Sequence, residues 1–272
     1  MAVSDRRARF RALHHTEQLF VMPNPWDIGS ARLLASSGFQ ALATTSAGFA
    51  WSIGKLDQTV RRDELIAHVR RLANATPLPL NVDSERCYPD DPGGVAETVA
   101  LLAEAGAAGF SIEDYNPATG GIDDITIAAE RVAIAADAAN SLPEPMVLTG
   151  RAENHIRGVD DLGDTISRLI AYRDVGADVV YAPGLSSIDQ VAAMADAVGA
   201  PMNVLALPNG PTLSELASVG VRRVSTGSAR RLRVPGADRR GSRVAEPGHL
   251  AFRRASHHAP RARDRILLAS GR

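Results

Sequence analysis

The chain has 272 residues, of which one is a cysteine, Cys87, and one a lysine, Lys55. A single thiol leaves no disulfide within the chain, which fits a reducing compartment. No run approaches the ~18 consecutive apolar residues of a membrane span. Met1–His15 carries basic pairs but no apolar stretch of the signal-peptide kind. A formal net charge of −1 gives neither nucleic acid nor an anionic membrane a strong electrostatic target. A soluble, cytoplasmic protein is the expectation.

What is present is alternation. Between about residues 18 and 228, short apolar runs rich in β-branched residues alternate with Ala/Leu-rich amphipathic stretches. The runs predict eight strands: Leu19–Met22, Ala41–Thr45, Leu78–Asp83, Gly109–Glu113, Met146–Arg151, Val179–Ala182, Met202–Ala206 and Arg223–Thr226. Helices are predicted over Trp26–Ser36, Arg62–Ala73, Gly94–Ala105, Ile127–Ala139, Leu162–Val175, Ser187–Val198 and Thr212–Val219. Asp91 with Pro92 is the expected start of the third, and Ser186 or Ser187 of the sixth. Gly38, Gly106, Gly176 and Gly220 each follow a predicted helix, where a left-handed residue can close the last turn. Eight β-α units imply a (β/α)₈ barrel. A doubly wound open sheet is the alternative, but it usually stops at fewer strands, and no Gly-x-Gly-x-x-Gly follows the first run.

Barrel active sites lie at the C-terminal ends of the strands. The third run ends in Asp83-Ser84-Glu85, the fourth in Glu113-Asp114, the fifth in Arg151, and the second leads into Thr45-Ser46-Ala47-Gly48. Neighbouring strands lie about 4.8 Å apart, so acids ending adjacent strands repel unless something positive sits between them. Oxygen ligands suit a hard cation such as Mg²⁺ or Mn²⁺, which takes one or two carboxylates directly and keeps several waters. An arginine beside it can clamp a carboxylate or stabilise an enolate oxygen.

In five segments the chain resembles the isocitrate lyase/phosphoenolpyruvate mutase superfamily. These are Asn24-Pro25-Trp26-Asp27, Thr45-Ser46-Ala47-Gly48, Asp83-Ser84-Glu85-Arg86-Cys87-Tyr88, Ile112-Glu113-Asp114 and Gly150-Arg151-Ala152-Glu153-Asn154. Asn203-Val204-Leu205-Ala206 and the final strand from Gly220 to Ser225 extend the resemblance, which spans about Val21 to Ser228. It implies Mg²⁺ bound directly by Asp83, with Glu85, Glu113 and Asp57 acting largely through water. It implies that Ser46, Ala47 and Gly48 hold a substrate carboxylate and that Arg151 contacts a 2-oxo acid. The chemistry so implied passes through a pyruvate enolate as a C–C or P–C bond breaks or forms, with Arg151, Glu113 and Ser46 as catalytic residues. Homo-oligomers, dimers or tetramers built through the C-terminal helices, are implied as well.

The chain also departs from that pattern. Isocitrate and methylisocitrate lyases carry a Lys-x-Cys-Gly-His type loop, whereas residues 115–124 here contain no Cys, His or Lys. Cys87 stands where these relatives usually have Gly and reads as a tolerated small substitution. Hydrolysis or decarboxylation of a 2-oxo acid therefore stays open, as does a degenerate barrel that only binds a carboxylate. His155 is an acid/base candidate, though a loop histidine facing solvent is the simpler reading.

From Arg230 to Arg272 there are twelve Arg, no Lys and three acids, so this tail carries +9 and the rest of the chain −10. Pro235, Pro247 and Pro260 interrupt any long helix there. The favoured reading of residues 229–272 is an out-of-frame translation of GC-rich coding DNA; a basic arm for nucleic acid is the rival. The frameshift predicts an eighth helix that is missing or altered, and weakened oligomer contacts.

Overall fold

In the computed structural model, which describes residues 2–228, eight parallel strands run in the order β1-β10-β9-β8-β7-β4-β3-β2. These are β1 (Phe20–Met22), β2 (Leu42–Ala43), β3 (Leu80–Asp83), β4 (Gly109–Glu113), β7 (Val147–Arg151), β8 (Val179–Tyr181), β9 (Met202–Leu205) and β10 (Arg223–Ser225). A small antiparallel hairpin, β5 (Tyr115–Asn116) and β6 (Gly121–Ile122), rises from the end of β4. The barrel nearly closes on itself. At the seam between β1 and β2, Ala43 N–H donates to the Pro23 carbonyl at 3.1 Å. Buried Asn24 strengthens the same seam. Its Nδ2 donates to the Thr44 carbonyl (2.7 Å), and its Oδ1 accepts from the N–H groups of Thr226 (3.0 Å) and Gly227 (2.8 Å).

Around the sheet lie α2 (Ile28–Ser36), α4 (Arg62–Ala75), α5 (Gly94–Ala105), α6 (Ile125–Asn140), α7 (Leu162–Asp174), α8 (Ile188–Val198) and α9 (Leu213–Ser218). Each turns an apolar stripe inward. In α5, Val95, Val99 and Leu102 recur at helical spacing and are buried against the sheet. Full burial of each such side chain contributes roughly 1.5–3 kcal/mol. The four glycines expected to end helices all adopt positive φ, from 82° at Gly220 to 111° at Gly176. Ser187 caps α8 as expected, accepting from Asp189 N–H at 3.2 Å. Asp91 does not cap α5. Its carboxylate pairs with Arg62 at 3.2 Å, and Gly93, at φ 74°, takes the cap position.

Two helices were not anticipated. Helix α1 (Val3–His14) seals the N-terminal end of the barrel. It is strongly polar, yet Arg6, Arg7, Phe10 and His14 are buried. Its arginines reach backbone carbonyls around the barrel floor: Arg6 to Ala73 (2.7 Å), Arg7 to Ala107 (3.1 Å) and Arg11 to Met146 (3.2 Å). Phe10 enters a space that exists because residue 109 is glycine; a Cβ there would lie 2.7 Å from the Phe10 ring. The second, α3 (Ser46–Ser52), follows β2 directly and belongs to the site below. The position of the eighth helix, expected to be missing or altered, and the Arg-rich tail read as a frameshift lie outside the described residues.

Candidate active site

The C-terminal ends of β2, β3, β4 and β7 converge on a cavity of about 190 Å³. That volume suits a small metabolite rather than a cofactor of dinucleotide size. Asp83, Arg151, Ser46, Ala47 and Asp57 all line it. Asp83 ends β3, where its N–H donates to Thr44 Oγ1 on the neighbouring strand (2.8 Å). Its carboxylate accepts from Ser46 N–H at 3.0 Å and faces Arg151 Nη1 at 3.4 Å through both oxygens. Ser46 opens α3 with Thr45 as its cap, so its N–H, one of those a helix leaves unpaired within itself, is the group directed at Asp83.

Gly48 plays a different part from Ser46 and Ala47. It is buried and does not line the cavity, and its N–H lies 3.5 Å from Thr45 Oγ1. A Cβ at this position would fall 2.4 Å from Trp26 Nε1 and 2.6 Å from Thr45 Cγ2. Glycine lets α3 sit tightly enough on Trp26 to hold the Ser46 N–H in place.

Glu113 ends β4 and is almost wholly buried. Oε1 accepts from Gln58 Nε2 at 2.9 Å; Oε2 has no hydrogen bond, although Arg151 Nη1 is 3.3 Å away. Burial raises the Glu113 pKa well above the ordinary carboxylate range, and Glu153, Asp83 and Glu85 add to this while Arg151 opposes it. Glu85 is pushed up to about 8, first by burial and then by Asp83 and Asp57. Asp57 is raised by burial and by Asp83. Burial pulls the Arg151 pKa down, but Glu153, Glu113 and Asp83 more than offset this and hold it well above its ordinary value. Glu85 lies at the edge, lining a second cavity with Gln58 and Tyr88. Four non-glycine residues adopt positive φ among the described residues, Gln58, Glu85, Cys87 and Tyr88, and all belong to the two loops on this side. Such strain is typically retained where the surrounding structure fixes a functional geometry.

A divalent cation fits this donor set. Among the described residues, Asp57 Oδ1 and Glu113 Oε2 are buried acidic oxygens without a hydrogen-bond partner. Among the described residues no three His, Cys, Asp or Glu side chains form a ready cage, since Arg151 stands between Asp83 and Glu113. A Mg²⁺ ion does not need such a cage, because one or two carboxylates with several waters suffice.

Further residues complete the site. Glu153 is fully buried; Arg151 Nε donates to its Oε1 (2.5 Å) and Arg157 Nε to its Oε2 (3.0 Å). Asp114 braces that loop by accepting from Glu153 N–H (2.8 Å), Tyr172 OH (2.7 Å) and Arg168 Nη1 (3.3 Å). The Gly-Arg-Ala-Glu-Asn segment drew attention to Arg151 alone, and nothing in the spacing marked Gln58 or Arg157. His155 does not line the cavity; its Nδ1 meets Asp160 at 3.2 Å and its Nε2 meets Thr165 Oγ1 at 3.2 Å.

Residues 10–237 match the family model described as phosphoenolpyruvate phosphomutase. An uncharacterized protein of Mycobacterium tuberculosis (strain ATCC 25618 / H37Rv) is 37% identical over 222 residues, covering 80% of this chain and 81% of that one. The solved structure of a Burkholderia cenocepacia J2315 protein assigned as a lyase/mutase is 51% identical, with a TM-score of 0.80 and coverage of 84% and 83%. That of a 2,3-dimethylmalate lyase, a PEP mutase/isocitrate lyase superfamily member, is 25% identical, with a TM-score of 0.76 and coverage of 85% and 83%. With the strand-end constellation, these matches establish that the chain belongs to the phosphoenolpyruvate phosphomutase family and is an enzyme of the PEP mutase/isocitrate lyase type.

Proposed function

We propose that this chain is a Mg²⁺-dependent enzyme, with Mn²⁺ as a substitute, that acts on a small 2-oxo or 2-hydroxy carboxylate. The reaction passes through a pyruvate-enolate-type intermediate, with cleavage or formation of a C–C or P–C bond. The observation that carries this reading is the convergence of the Asp83 carboxylate, the Arg151 guanidinium and the Ser46 N–H on one small cavity. Asp83 would hold the cation directly, with Glu85, Glu113 and Asp57 around its waters. A cation bound there supplies positive charge where an enolate oxygen develops.

The chain's own residues do the rest. With Asp83 engaged by the cation, the Ser46 N–H that it otherwise accepts from, together with the neighbouring Ala47, would bind and orient the substrate carboxylate. Arg151, held in place by Glu153, offers a fixed donor to the 2-oxo or 2-hydroxy oxygen. Its distance from bulk water strengthens both interactions.

A second reading, decarboxylation or hydrolysis of an oxaloacetate-type acid, has one observation in its favour. The β5–β6 hairpin presents no Cys, His or Lys to serve as a proton donor or acceptor. A decarboxylation leaves an enolate that solvent can protonate. The family's small-molecule chemistry, homo-oligomeric habit and cytoplasmic setting are extended to this chain on the same footing.

The test is release of pyruvate or another product from oxaloacetate, phosphonopyruvate, methylisocitrate and dimethylmalate, with and without Mg²⁺. Turnover that needs Mg²⁺ and disappears in Asp83→Ala is expected. If none of the four is turned over, a barrel that only binds a carboxylate becomes the better description.

A further inference from the structure

Two guanidinium groups line the cavity besides that of Arg151: Arg223, whose three nitrogens are taken up by Asn203, His14 and Thr149, and Arg157, which the proposed chemistry leaves without a task. Arg157 sits in the short 3₁₀ turn His155–Arg157 that follows β7, and it lines the same cavity. Two contacts fix it. Its Nε donates to Glu153 Oε2 at 3.0 Å, and its Cζ lies 3.4 Å from the centre of the Tyr115 ring on β5. Glu153 cannot turn away, because it is fully buried and its other oxygen is held by Arg151. One carboxylate thus sets the spacing of two guanidinium groups at a single cavity. Nη1 and Nη2 of Arg157 make no hydrogen bond among the described residues, and the side chain remains 29% exposed. Arg157 and Asp57 line the same cavity.

A planar fork held at one end, with its outer nitrogens open, suits a carboxylate, phosphonate or sulfonate bound through two oxygens. We propose that Arg157 is a specificity-determining residue that binds a second, distal acidic group of the substrate. Each of the four acids proposed for the activity test carries such a group. This assignment rests on the reading of the cavity as an enolate-forming site, in which Arg151 and the Ser46 N–H take the near end.

Three anions separate the two ideas in calorimetric titrations of the full chain with Mg²⁺. Oxalate occupies only the near end, malate adds a distal carboxylate, and sulfopyruvate adds a distal sulfonate. Arg157→Met should weaken malate, sulfopyruvate or both by about 10- to 100-fold, the worth of a charge-assisted pair. It should leave oxalate within about twofold. Arg157→Lys, which keeps the charge but loses the fork, should fall between wild type and Arg157→Met, and thermal melts should show all variants folded. Arg157→Met weakening all three anions equally, or none, overturns the assignment. If wild type binds oxalate but neither longer anion, the assignment falls while the enolate-site reading stands. If it binds none of the three with Mg²⁺, both fall.

Discussion

One buried ring should contribute a specific loss of stability as the pH falls. His14 is 5% exposed, at the junction of α1 and the barrel floor. Its Nδ1–H donates to the Phe10 carbonyl at 2.8 Å, and its Nε2 accepts from Arg223 Nη1 at 3.2 Å. The second contact requires the neutral ring, because a protonated Nε2 has no lone pair to offer Arg223; the first is available to either form. Arg223 is itself 1% exposed, and its other partners are the neutral Asn203 Oδ1 and Thr149 Oγ1. A proton on His14 would face that cation with no carboxylate between them. Burial, followed by Arg223, accordingly lowers the His14 pKa from 6.5 to about 3. Between those values the unfolded chain binds a proton that the folded chain refuses. The stabilisation is therefore complete above pH 6.5 and is lost as pH falls towards 3. Over the whole window this amounts to about 5 kcal/mol, and to about 2 kcal/mol by pH 5. Either figure is a substantial part of a typical domain stability of ~5–15 kcal/mol.

Urea unfolding at pH 7.5 and pH 5.0, for wild type and His14→Gln, measures this directly. Glutamine can offer an acceptor to Arg223 without titrating. His68, lowered to about 4 by burial and stacked on Phe49, contributes in the same direction, but equally in both proteins. The difference between their pH dependences isolates His14. The variant should lose about 2 kcal/mol less than wild type on going to pH 5. Identical pH dependence in the two proteins would refute the argument that Arg223 and the barrel floor hold the ring neutral.

Other outcomes follow from the same geometry. Asn24→Ala should cost about 3 kcal/mol in chemical denaturation, because it strips one backbone partner across the β1–β2 seam and two just beyond β10; a loss below about 1 kcal/mol would show that the barrel closes without it. Gly48→Ala should push α3 off Trp26 and weaken oxalate binding about 10-fold or more, since its Cβ would lie 2.4 Å from Trp26 Nε1. Unchanged affinity would mean that the Ser46 N–H does not depend on that packing. Glu153→Gln should lower affinity for oxalate and for the longer anions together, because both arginines lose their shared anchor; an effect on one anion class alone would contradict the shared role.

The barrel was legible because its strands are covered on both sides and so read as apolar runs, and because glycine marks four helix ends by its left-handed freedom. Asp83, Glu113 and Arg151 were legible because strand ends announce themselves once strands are placed. Helix α1 was not, since arginines bonded to carbonyls, rather than an apolar stripe, bury its inner face. Helix α3 has seven residues, too few for periodicity to show. Gln58 acts across loops that no local pattern connects, whereas Glu153 and Arg157 sit two and six residues after Arg151 in a loop without helical or strand periodicity to mark them. The two-residue strands β5 and β6 likewise fall below what alternation can signal.

The central claim is that Asp83 holds a divalent cation beside a carboxylate-binding helix start, so that cation and acid bind together. The direct measurement is the affinity for oxalate, by calorimetry, with and without Mg²⁺. Mg²⁺ should tighten oxalate binding by at least about 10-fold, and oxalate should tighten Mg²⁺ binding by the same factor. Asp83→Ala should abolish that coupling. Oxalate affinity that is the same with and without Mg²⁺ would contradict the account.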